Sequence, residues 1–378
     1  MTPRAILNPT AAVAVITCAL SPAASSQPVG SLRTPSGYRV TIFAEGLDAP
    51  GQIAFGPDGE LYVTLAGSGT VARLADEDGD HRADRIETVV RGLDQPVDIA
   101  WRDDALWILE ADRLLRSNAE GEAVAAPRVV IDDFPGGAAR AMVFSAGGEA
   151  VLVAIAGSCE TCSPGDRGGV LRYELSGGPP RLVARGLARP GGLGFNPTTG
   201  ELWVTDAGVP GLGSELPPGE LNVVRRGRDY GWPYCYGARV PFPAYADRAR
   251  CEGTEPPALL LPGRSQPWGI AFGRGAADGP WGGDAVMVMS ADTAGRTAAA
   301  RQARLVRVEF RSGRPASTED LTTDWGVAVG RPVDVLVGRD GGLYVTDDAG
   351  GRIWRVEPPV TAGSRVTPGK GTPDDRAG

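Results

Sequence analysis

The residues best suited to hold a metal ion lie in one acidic segment, residues 76–87. Its carboxylates occupy positions 1, 3, 5, 9 and 12 of the segment and are Asp76, Asp78, Asp80, Asp84 and Glu87. This is the spacing of a calcium-binding loop, because calcium takes about six to eight oxygen ligands from a short stretch of chain. Position 6, where such a loop requires glycine for its sharp turn, holds His81. The segment predicts a calcium site, with a solvated acidic turn between strands as the alternative.

His81 is also the one histidine of the 378 residues. Histidine is the usual general base and a common metal ligand near neutral pH. A histidine cannot therefore act as a general base or as a metal ligand at any other position of the chain.

The cysteines are typical of structural disulfides. Cys235 and Cys251 bracket an insertion rich in proline and tyrosine, and a bridge between them would close a loop of about 17 residues and contribute ~3 kcal/mol. Cys159 and Cys162 form a C-x-x-C pair with no second pair at zinc spacing, which favours a local disulfide over a redox or metal role.

Composition restricts the partners and the fold. Lys and Arg total 38 and Asp and Glu total 46, giving a net charge of −8 and a pI near 5.0. An acidic balance argues against a nucleic-acid partner, whose phosphates require a basic face. The 54 glycines and 32 prolines disfavour long helices and favour short strands joined by turns.

The first residues resemble an export signal. Arg4 precedes an apolar run at residues 11–20 and a small-residue stretch at residues 23–26, and the run is too short to span a membrane. We expect a signal peptide at 1–26, one domain at 27–357 and a disordered tail at 358–378, and therefore a periplasmic or extracellular protein. A lipid anchor at Cys18 is the alternative to cleavage.

One phrase recurs six times along the chain: a short apolar run, a turn of Gly, Pro or Asp, then an alternating strand. The matched positions 55, 101, 144, 195, 272 and 337 lie 46, 43, 51, 77 and 65 residues apart. That spacing fits one four-stranded propeller blade per repeat, with insertions in the longer intervals. The sequence predicts an all-β fold, a six-bladed β-propeller of four-stranded antiparallel blades.

Several segments between about Thr34 and Val356 are similar to one family. The most specific is residues 229–237, which read DYGWPYCYG, preceded by GELNVV at 219–224. This pair resembles the signature of the glucose/sorbosone dehydrogenase family. Further similarity lies in residues 157–162, 261–272, 330–332 and 347–353.

The resemblance implies an exported six-bladed propeller that uses pyrroloquinoline quinone with calcium to oxidise a sugar or an aldehyde and passes electrons to an acceptor. Arg140, Arg189 and Arg331 match family arginines and are the predicted contacts of the tricarboxylated quinone. Near Gly208 the family supplies backbone carbonyls to its catalytic calcium.

The resemblance fails at the base. In the family a histidine ahead of the third-blade strand takes the hydroxyl proton, and here that position holds an alanine while Arg140 is retained. A general base is typically worth ~10²–10⁴ in rate. Asp98 and Asp334, which match Gln52 in the repeat, are the predicted substitutes, because inner strands begin near one mouth of a propeller channel. The alternative is that these two acids cap turns or join neighbouring blades.

Three tryptophans have two interpretations. Trp232, Trp268 and Trp281 could form an aromatic platform for a sugar, or could be buried between blades, as propeller tryptophans often are.

Three functions are compatible with these residues. The first is a quinone- and calcium-dependent dehydrogenase with an altered base. The second is a non-catalytic propeller that binds a glycan, a protein or the quinone. The third is a calcium-dependent lactonase-type hydrolase, which would need acidic and amide ligands around a channel metal.

Overall fold

The chain forms six antiparallel sheets arranged as the blades of a propeller, which confirms the predicted fold class. The computed structural model describes residues 32, 34–120, 123–134, 139–157, 168–208, 217–247, 249–263, 265–274, 276–291, 303–323, 325 and 330–359. The predicted signal peptide, Cys18 and most of the predicted tail lie outside this part of the chain, as do Cys159 and Cys162.

Blades 1 to 3 follow one another in chain order, each with its first strand innermost. Blade 1 consists of β2 (Pro50–Phe55), β3 (Leu61–Leu65), β4 (Thr70–Ala75) and β5 (Arg85–Val90). Blade 2 consists of β6 (Asp98–Arg102), β7 (Ala105–Leu109), β8 (Arg113–Glu120) and β10 (Arg128–Asp132), with the short β9 (Ala123–Val124) paired to β8. Blade 3 consists of β11 (Ala139–Phe144), β12 (Ala150–Ile155), β13 (Gly169–Glu174) and β14 (Arg181–Arg185).

Blades 4 and 5 carry the longer insertions. Blade 4 consists of β15 (Pro190–Phe195), β16 (Leu202–Asp206), β17 (Pro218–Val223) and β20 (Leu259–Gly263), and the hairpin of β18 (Cys235–Tyr236) and β19 (Val240–Pro241) interrupts it. Blade 5 consists of β21 (Ser265–Phe272), β22 (Ala285–Ala291), β23 (Arg304–Arg311) and β24 (Arg314–Thr322). Short 3-10 turns occupy Pro243–Tyr245, Cys251–Gly253 and Ala276–Trp281.

Blade 6 closes the ring with strands from both ends of the chain. It consists of β25 (Pro332–Val337), β26 (Leu343–Asp347) and β27 (Arg352–Glu357), and its outermost strand is the N-terminal β1 (Arg39–Glu45). Strands β1 and β27 pair antiparallel from Arg39 opposite Glu357 to Glu45 opposite Arg352. This pairing ties the first strand of the domain to the last one.

Two blade turns are built from the same three residue types. In blade 1 the Asp58 carboxylate accepts hydrogen bonds from the Tyr62 hydroxyl at 3.0 Å and from Arg73 Nε at 2.8 Å. In blade 6 Asp340, Tyr344 and Arg355 repeat the arrangement. The repeated turn phrase in the sequence is therefore a repeated ion-pair and hydrogen-bond cluster, in which a buried phenol finds a polar partner.

The hydrophobic core lies between adjacent blades rather than in one central mass. Trp281, Trp325 and Trp354 are fully buried between blades 5 and 6, and the rings of Trp325 and Trp354 meet edge to face. Trp203 fills the contact between blades 4 and 5 beside Phe272. Large aromatic rings suit this position because packed sheets lie about 10 Å apart and leave a wide apolar gap.

The inner strands β2, β6, β11, β15, β21 and β25 stand side by side around the axis, each in contact with the next. Blades 3 and 6 therefore face each other across the central channel. No helix in the described residues is long and apolar enough to cross a membrane.

The predicted bridge between Cys235 and Cys251 is present, with Cα atoms 5.8 Å apart. It closes the insertion of blade 4, and both cysteines are buried. Within the insertion the Tyr234 amide donates to the Gly231 carbonyl and so forms a tight turn.

Replacing both cysteines with serine should lower the free energy of unfolding by ~3 kcal/mol, because the unfolded chain regains the entropy of that loop. Urea denaturation followed by tryptophan fluorescence measures the loss, and reduced wild-type protein is the matched control. A change below about 0.5 kcal/mol would show that the insertion is held by other contacts.

Candidate functional site

A cavity of about 600 Å³ opens where the inner strands begin, at one mouth of the channel. This is the size range of small-molecule sites. Its charged lining residues within the described chain are Arg140, Arg189 and Asp348, and its aromatic ones are Trp232 and Trp268. We call it the upper cavity.

Arg140 and Arg189 reach the upper cavity from neighbouring blades 3 and 4. Burial lowers the pKa of Arg140, and the positive charge of Arg189 lowers it further, so the two guanidinium groups repel each other. Within the described chain, the Arg140 side chain donates a hydrogen bond to the Ala139 carbonyl at 3.3 Å. Among the described residues neither arginine forms an ion pair with a carboxylate. Two like charges held together, with no ion-paired carboxylate among the described residues, are the donor set of an anion site.

Buried carboxylates fix the backbone that carries two of the three predicted arginines. Asp206, the last residue of β16, accepts hydrogen bonds from the amide of Arg189 at 2.6 Å and of Ala188 at 2.8 Å. Asp347, the last residue of β26, accepts the amide of Arg331 at 2.7 Å in the same way. The Val-Thr-Asp endings of these strands in the sequence are the signal for this role, which sequence reasoning missed.

Arg331 is placed differently from the other two. Its Nε donates to Asp348 Oδ1 at 2.9 Å, and its Nη2 donates to Oδ2 of the same carboxylate. The pKa of Arg331 is raised, first of all by this hydrogen bond. Asp348, and not Arg331, is the member of the pair that lines the upper cavity.

The tryptophans divide between the two interpretations. Trp232 and Trp268 line the upper cavity, whereas Trp281 is fully buried between blades and donates from Nε1 to the Gly341 carbonyl at 2.8 Å. Gly157 lets Trp232 reach the cavity wall, since a Cβ at Gly157 would collide with the indole ring. A planar ligand therefore meets two indoles and not three.

A second cavity of about 380 Å³ lies below the first and is lined by the inner strands. Asp98 and Asp334 line this lower cavity and are not among the lining residues of the upper one. Gln52 lines both cavities, so they meet at this residue. The predicted substitute bases thus lie one layer inside the channel.

Both acids join neighbouring inner strands. Asp98 accepts the amide of Met142 in blade 3 at 2.7 Å, and Asp334 accepts the amide of Ile53 in blade 1 at 3.1 Å. With its amide nitrogen turned toward the carboxylate, Gln52 also donates to Asp334 Oδ2 at 2.7 Å. The blade-joining role, given above as the alternative, is present in the geometry.

The two acids are hard to ionise. Burial is the largest cause in each case and raises the pKa of Asp98 to about 8 and that of Asp334 to about 7. The charge of Asp334 raises the pKa of Asp98 further, while backbone amides from Met142 and Ile53 oppose the shifts. A carboxylate with a pKa near neutrality suits a general base, provided that it reaches its substrate.

A further acid pair lies beside Gly208, the predicted source of calcium-binding carbonyls. Gly208, Asp206 and Glu220 line one small pocket together with Trp232. Burial raises the pKa of Asp206 to about 8, with Glu220 as the second cause, and burial also raises the pKa of Glu220. Two buried carboxylates this close favour protonation or a cation.

The acidic segment 76–87 brings three of its five predicted ligands together. One carboxylate oxygen from each of Asp76, Asp78 and Asp84 lies within 4.8 Å of the other two. Asp80 instead accepts the amide of Arg82 at 2.8 Å, and Glu87 lies 3.8 Å from Arg73. The arrangement is a partial oxygen cage on the outside of the propeller.

His81 adopts the left-handed backbone conformation, with φ of 66°. This is the geometry for which a calcium loop uses glycine at position 6. Its Nδ1 lies 3.7 Å from Asp340 of blade 6, far from the upper cavity lining. His81 is therefore not the base of the upper cavity.

The geometry can now be compared with known proteins. Residues 174–355 match the family model "Glucose / Sorbosone dehydrogenase", which confirms the resemblance stated above. An uncharacterised protein of Borreliella burgdorferi is 24% identical and covers 88% of this chain and 92% of its own length. The Escherichia coli aldose sugar dehydrogenase YliI is 24% identical over 190 residues, 48% of this chain and 45% of that protein.

Solved structures share the fold. A calcium structure of a Trichoderma reesei enzyme of carbohydrate-active family AA12 superposes with a TM-score of 0.73 at 19% identity, over 88% of this chain and 98% of that one. The holo pyranose dehydrogenase PQQ domain of Coprinopsis cinerea gives 0.71 at 16% identity, with the same two coverages. At such identities these likenesses establish the propeller and leave the activity to the site residues.

The buried acids of the channel make stability depend on pH. Because the folded-state pKa of Asp98 and Asp334 lies above the ordinary 3.8, the folded protein keeps these protons where the unfolded chain has lost them. Stability is therefore lost as pH rises from about 4 to about 7 or 8, by at most ~1.4 kcal/mol per pH unit and group. Asp334→Asn should flatten the curve of unfolding free energy against pH, measured with urea. Asp103→Asn, on a side chain that is 80% exposed, is the control, and parallel curves for both variants would contradict the assignment.

Proposed function

We propose, from the premise that residues 174–355 match the glucose/sorbosone dehydrogenase family, that this chain is an exported quinone- and calcium-dependent oxidoreductase acting on a sugar or an aldehyde. The observation that carries the proposal is the pair Arg140 and Arg189, two guanidinium groups without a carboxylate partner among the described residues, facing one cavity. An acidic protein has little reason to place such a half-buried pair together except for an anion.

The upper cavity fits pyrroloquinoline quinone by the chemistry of its donors. The cofactor is a flat molecule with three carboxylates, and a guanidinium fork binds a carboxylate through two parallel hydrogen bonds. Arg140 and Arg189 would hold those carboxylates, while Trp232 and Trp268 offer flat apolar faces beside them. When bound, the quinone supplies a two-electron oxidant that accepts hydride. Arg331 would act less directly, since Asp348 already neutralises it.

Side chains of the protein would orient the ligand, exclude water and accept the proton. The arginines orient the anionic ligand and offset its charge in a half-enclosed site, where electrostatic interactions are stronger than in water. The indoles of Trp232 and Trp268 exclude water from its face. Asp98 and Asp334 stay the predicted substitute bases, with pKa values of about 8 and about 7 that suit proton abstraction near neutral pH.

Two features support the remaining parts of the proposal. The Cys235–Cys251 disulfide suits an oxidising compartment and so an exported protein. The Gly208 region beside two buried acids and the three clustered carboxylates of segment 76–87 are the two candidate calcium sites. The first would lie beside the upper cavity, and the second would be structural.

The experiment adds pyrroloquinoline quinone and calcium to the purified protein and follows quinone absorbance and the thermal midpoint. Aldoses and an artificial electron acceptor are then added. Arg140→Ala and Arg189→Ala should each weaken quinone binding by ~10–100-fold, because each removes a charge-assisted hydrogen bond worth about 1.5–3 kcal/mol. Arg128→Ala, an exposed arginine on the outer strand of blade 2, should leave binding unchanged.

The outcomes separate the three functions. Binding with turnover supports the dehydrogenase. Binding without turnover supports the non-catalytic propeller, which the lack of a histidine among the described cavity residues favours. Failure of the wild type to bind the quinone contradicts the cofactor assignment, and lactone hydrolysis would then be the next assay.

Calcium should stabilise the protein through segment 76–87. At a concentration about 100 times its dissociation constant, calcium adds ~2.7 kcal/mol and should raise the thermal midpoint by roughly 5 °C relative to chelator. Asp76→Asn combined with Asp84→Asn should remove this shift, whereas Asp103→Asn should not. A shift that survives the double variant would assign the calcium to another site, such as Gly208. A wild type indifferent to chelator would contradict both.

A further inference from the structure

Asp348 is the one carboxylate among the described residues that line the upper cavity. Its side chain is 16% exposed, so it is largely shielded from water and still accessible to a ligand. It belongs to the family-similar segment 347–353 and directly follows the Val-Thr-Asp ending of β26. No role described so far explains why an anion-binding cavity should carry an acid.

The carboxylate is held in one orientation. Arg331 donates to both of its oxygens, and the amide of Asp348 donates to the Arg331 carbonyl at 3.1 Å. Asp347, next to it, accepts the amides of Arg331 and Gly350, each at 2.7 Å. A carboxylate has about four lone-pair sites, so the bonds from Arg331 leave Oδ1 able to accept from a ligand hydroxyl.

The charges of the upper cavity are divided across the channel. Arg140 and Arg189 belong to blades 3 and 4, whereas Asp348 belongs to blade 6, which faces blade 3 through the ring of inner strands. An anionic ligand that settles on the arginines therefore leaves Asp348 on the opposite side. That side suits a second ligand that donates hydrogen bonds and carries no negative charge, such as the hydroxyl-rich ring of an aldose.

We propose that Asp348 is the proton acceptor for the reacting hydroxyl of the substrate. The proposal rests on the proposed function, in which a quinone is the oxidant. The O–H bond breaks and its proton passes to a carboxylate oxygen of Asp348. The C–H bond of the same carbon breaks as hydride leaves for the quinone, so the carbinol becomes a carbonyl and the quinone gains the two electrons.

Position favours Asp348 over the two buried acids of the channel. Asp98 and Asp334 line the lower cavity, and their carboxylates accept hydrogen bonds from the amides of Met142 and Ile53, respectively. A ligand in the upper cavity meets Gln52 before it reaches either of them. A general base must come within hydrogen-bond reach of the proton that it takes.

The test compares Asp348→Asn with wild type in three measurements. Quinone binding, from an absorbance titration, should change by less than about threefold, since Asp348 is not among the arginines that hold the anion. Aldose binding to the cofactor-free protein, from tryptophan fluorescence, should weaken by ~10-fold, because a charged acceptor is replaced by a neutral one. Reduction of bound quinone in a single turnover should slow by ~10²–10⁴-fold and recover in part with added formate.

Four further variants make the test specific. Asp348→Glu should keep part of the single-turnover rate, and Asp103→Asn should match wild type in every measurement. Asp98→Asn and Asp334→Asn give the competing result. If they stop quinone reduction while Asp348→Asn does not, the proton acceptor lies in the lower cavity and the proposal is overturned.

Failure of this proposal and failure of the proposed function give different results. A wild type that does not bind quinone overturns the proposed function, and with it the proton-transfer role. The aldose titration then tells whether Asp348 still binds a sugar. A wild type that binds quinone without reducing it supports the non-catalytic propeller and overturns the oxidoreductase activity together with the Asp348 role. With an active wild type, unchanged aldose binding and unchanged turnover in Asp348→Asn overturn the Asp348 role alone.

Discussion

The inner strand of each blade poses the problem on which the rest of the structure depends. Its channel-facing edge has no neighbouring strand to bond with, so the backbone amides on that edge need other acceptors, and a buried unpaired amide is costly. Carboxylates solve the problem in two ways here. Asp206 and Asp347 accept amides ahead of the inner strand of their own blade, and Asp98 and Asp334 accept amides from the next blade.

This use of acids determines which groups are left to bind a ligand. Carboxylates that hold the backbone are buried and already bonded, so they contribute little negative charge to the cavity above them. Arg140 and Arg189 then line the upper cavity without an ion-paired carboxylate among the described residues, although the chain as a whole carries a net charge of −8. An acidic protein can thus contain an anion site because its buried carboxylates already accept hydrogen bonds from the backbone.

The sequence could predict the fold because the repeats are local. Each copy of the phrase encodes one hairpin, and six hairpins of similar length close into a ring, so the propeller and the Cys235–Cys251 bridge are confirmed. The site was harder because it joins residues from opposite blades. Nothing in the spacing tells that Asp334 lies below Gln52 while Asp348, fourteen positions later, lines the upper cavity. Strand direction decides this, since the first strand of a blade descends from the mouth and the second returns to it.

The same geometry bears on where a propeller with no histidine among the described residues of its cavity lining could carry a base. The residue that follows the second strand lines the upper cavity in three blades, as Ala66 of blade 1, Ala156 of blade 3 and Asp348 of blade 6, so an acid at such a position can face the cavity. In blade 6 that position follows Asp347, whose bonds to the backbone hold the turn whatever residue comes next. A carboxylate placed there needs one partner to fix its direction, and Arg331 supplies it. An acid at this position leaves the inner strands of the channel unchanged. We therefore expect the base in the upper cavity and not among the acids that join neighbouring strands.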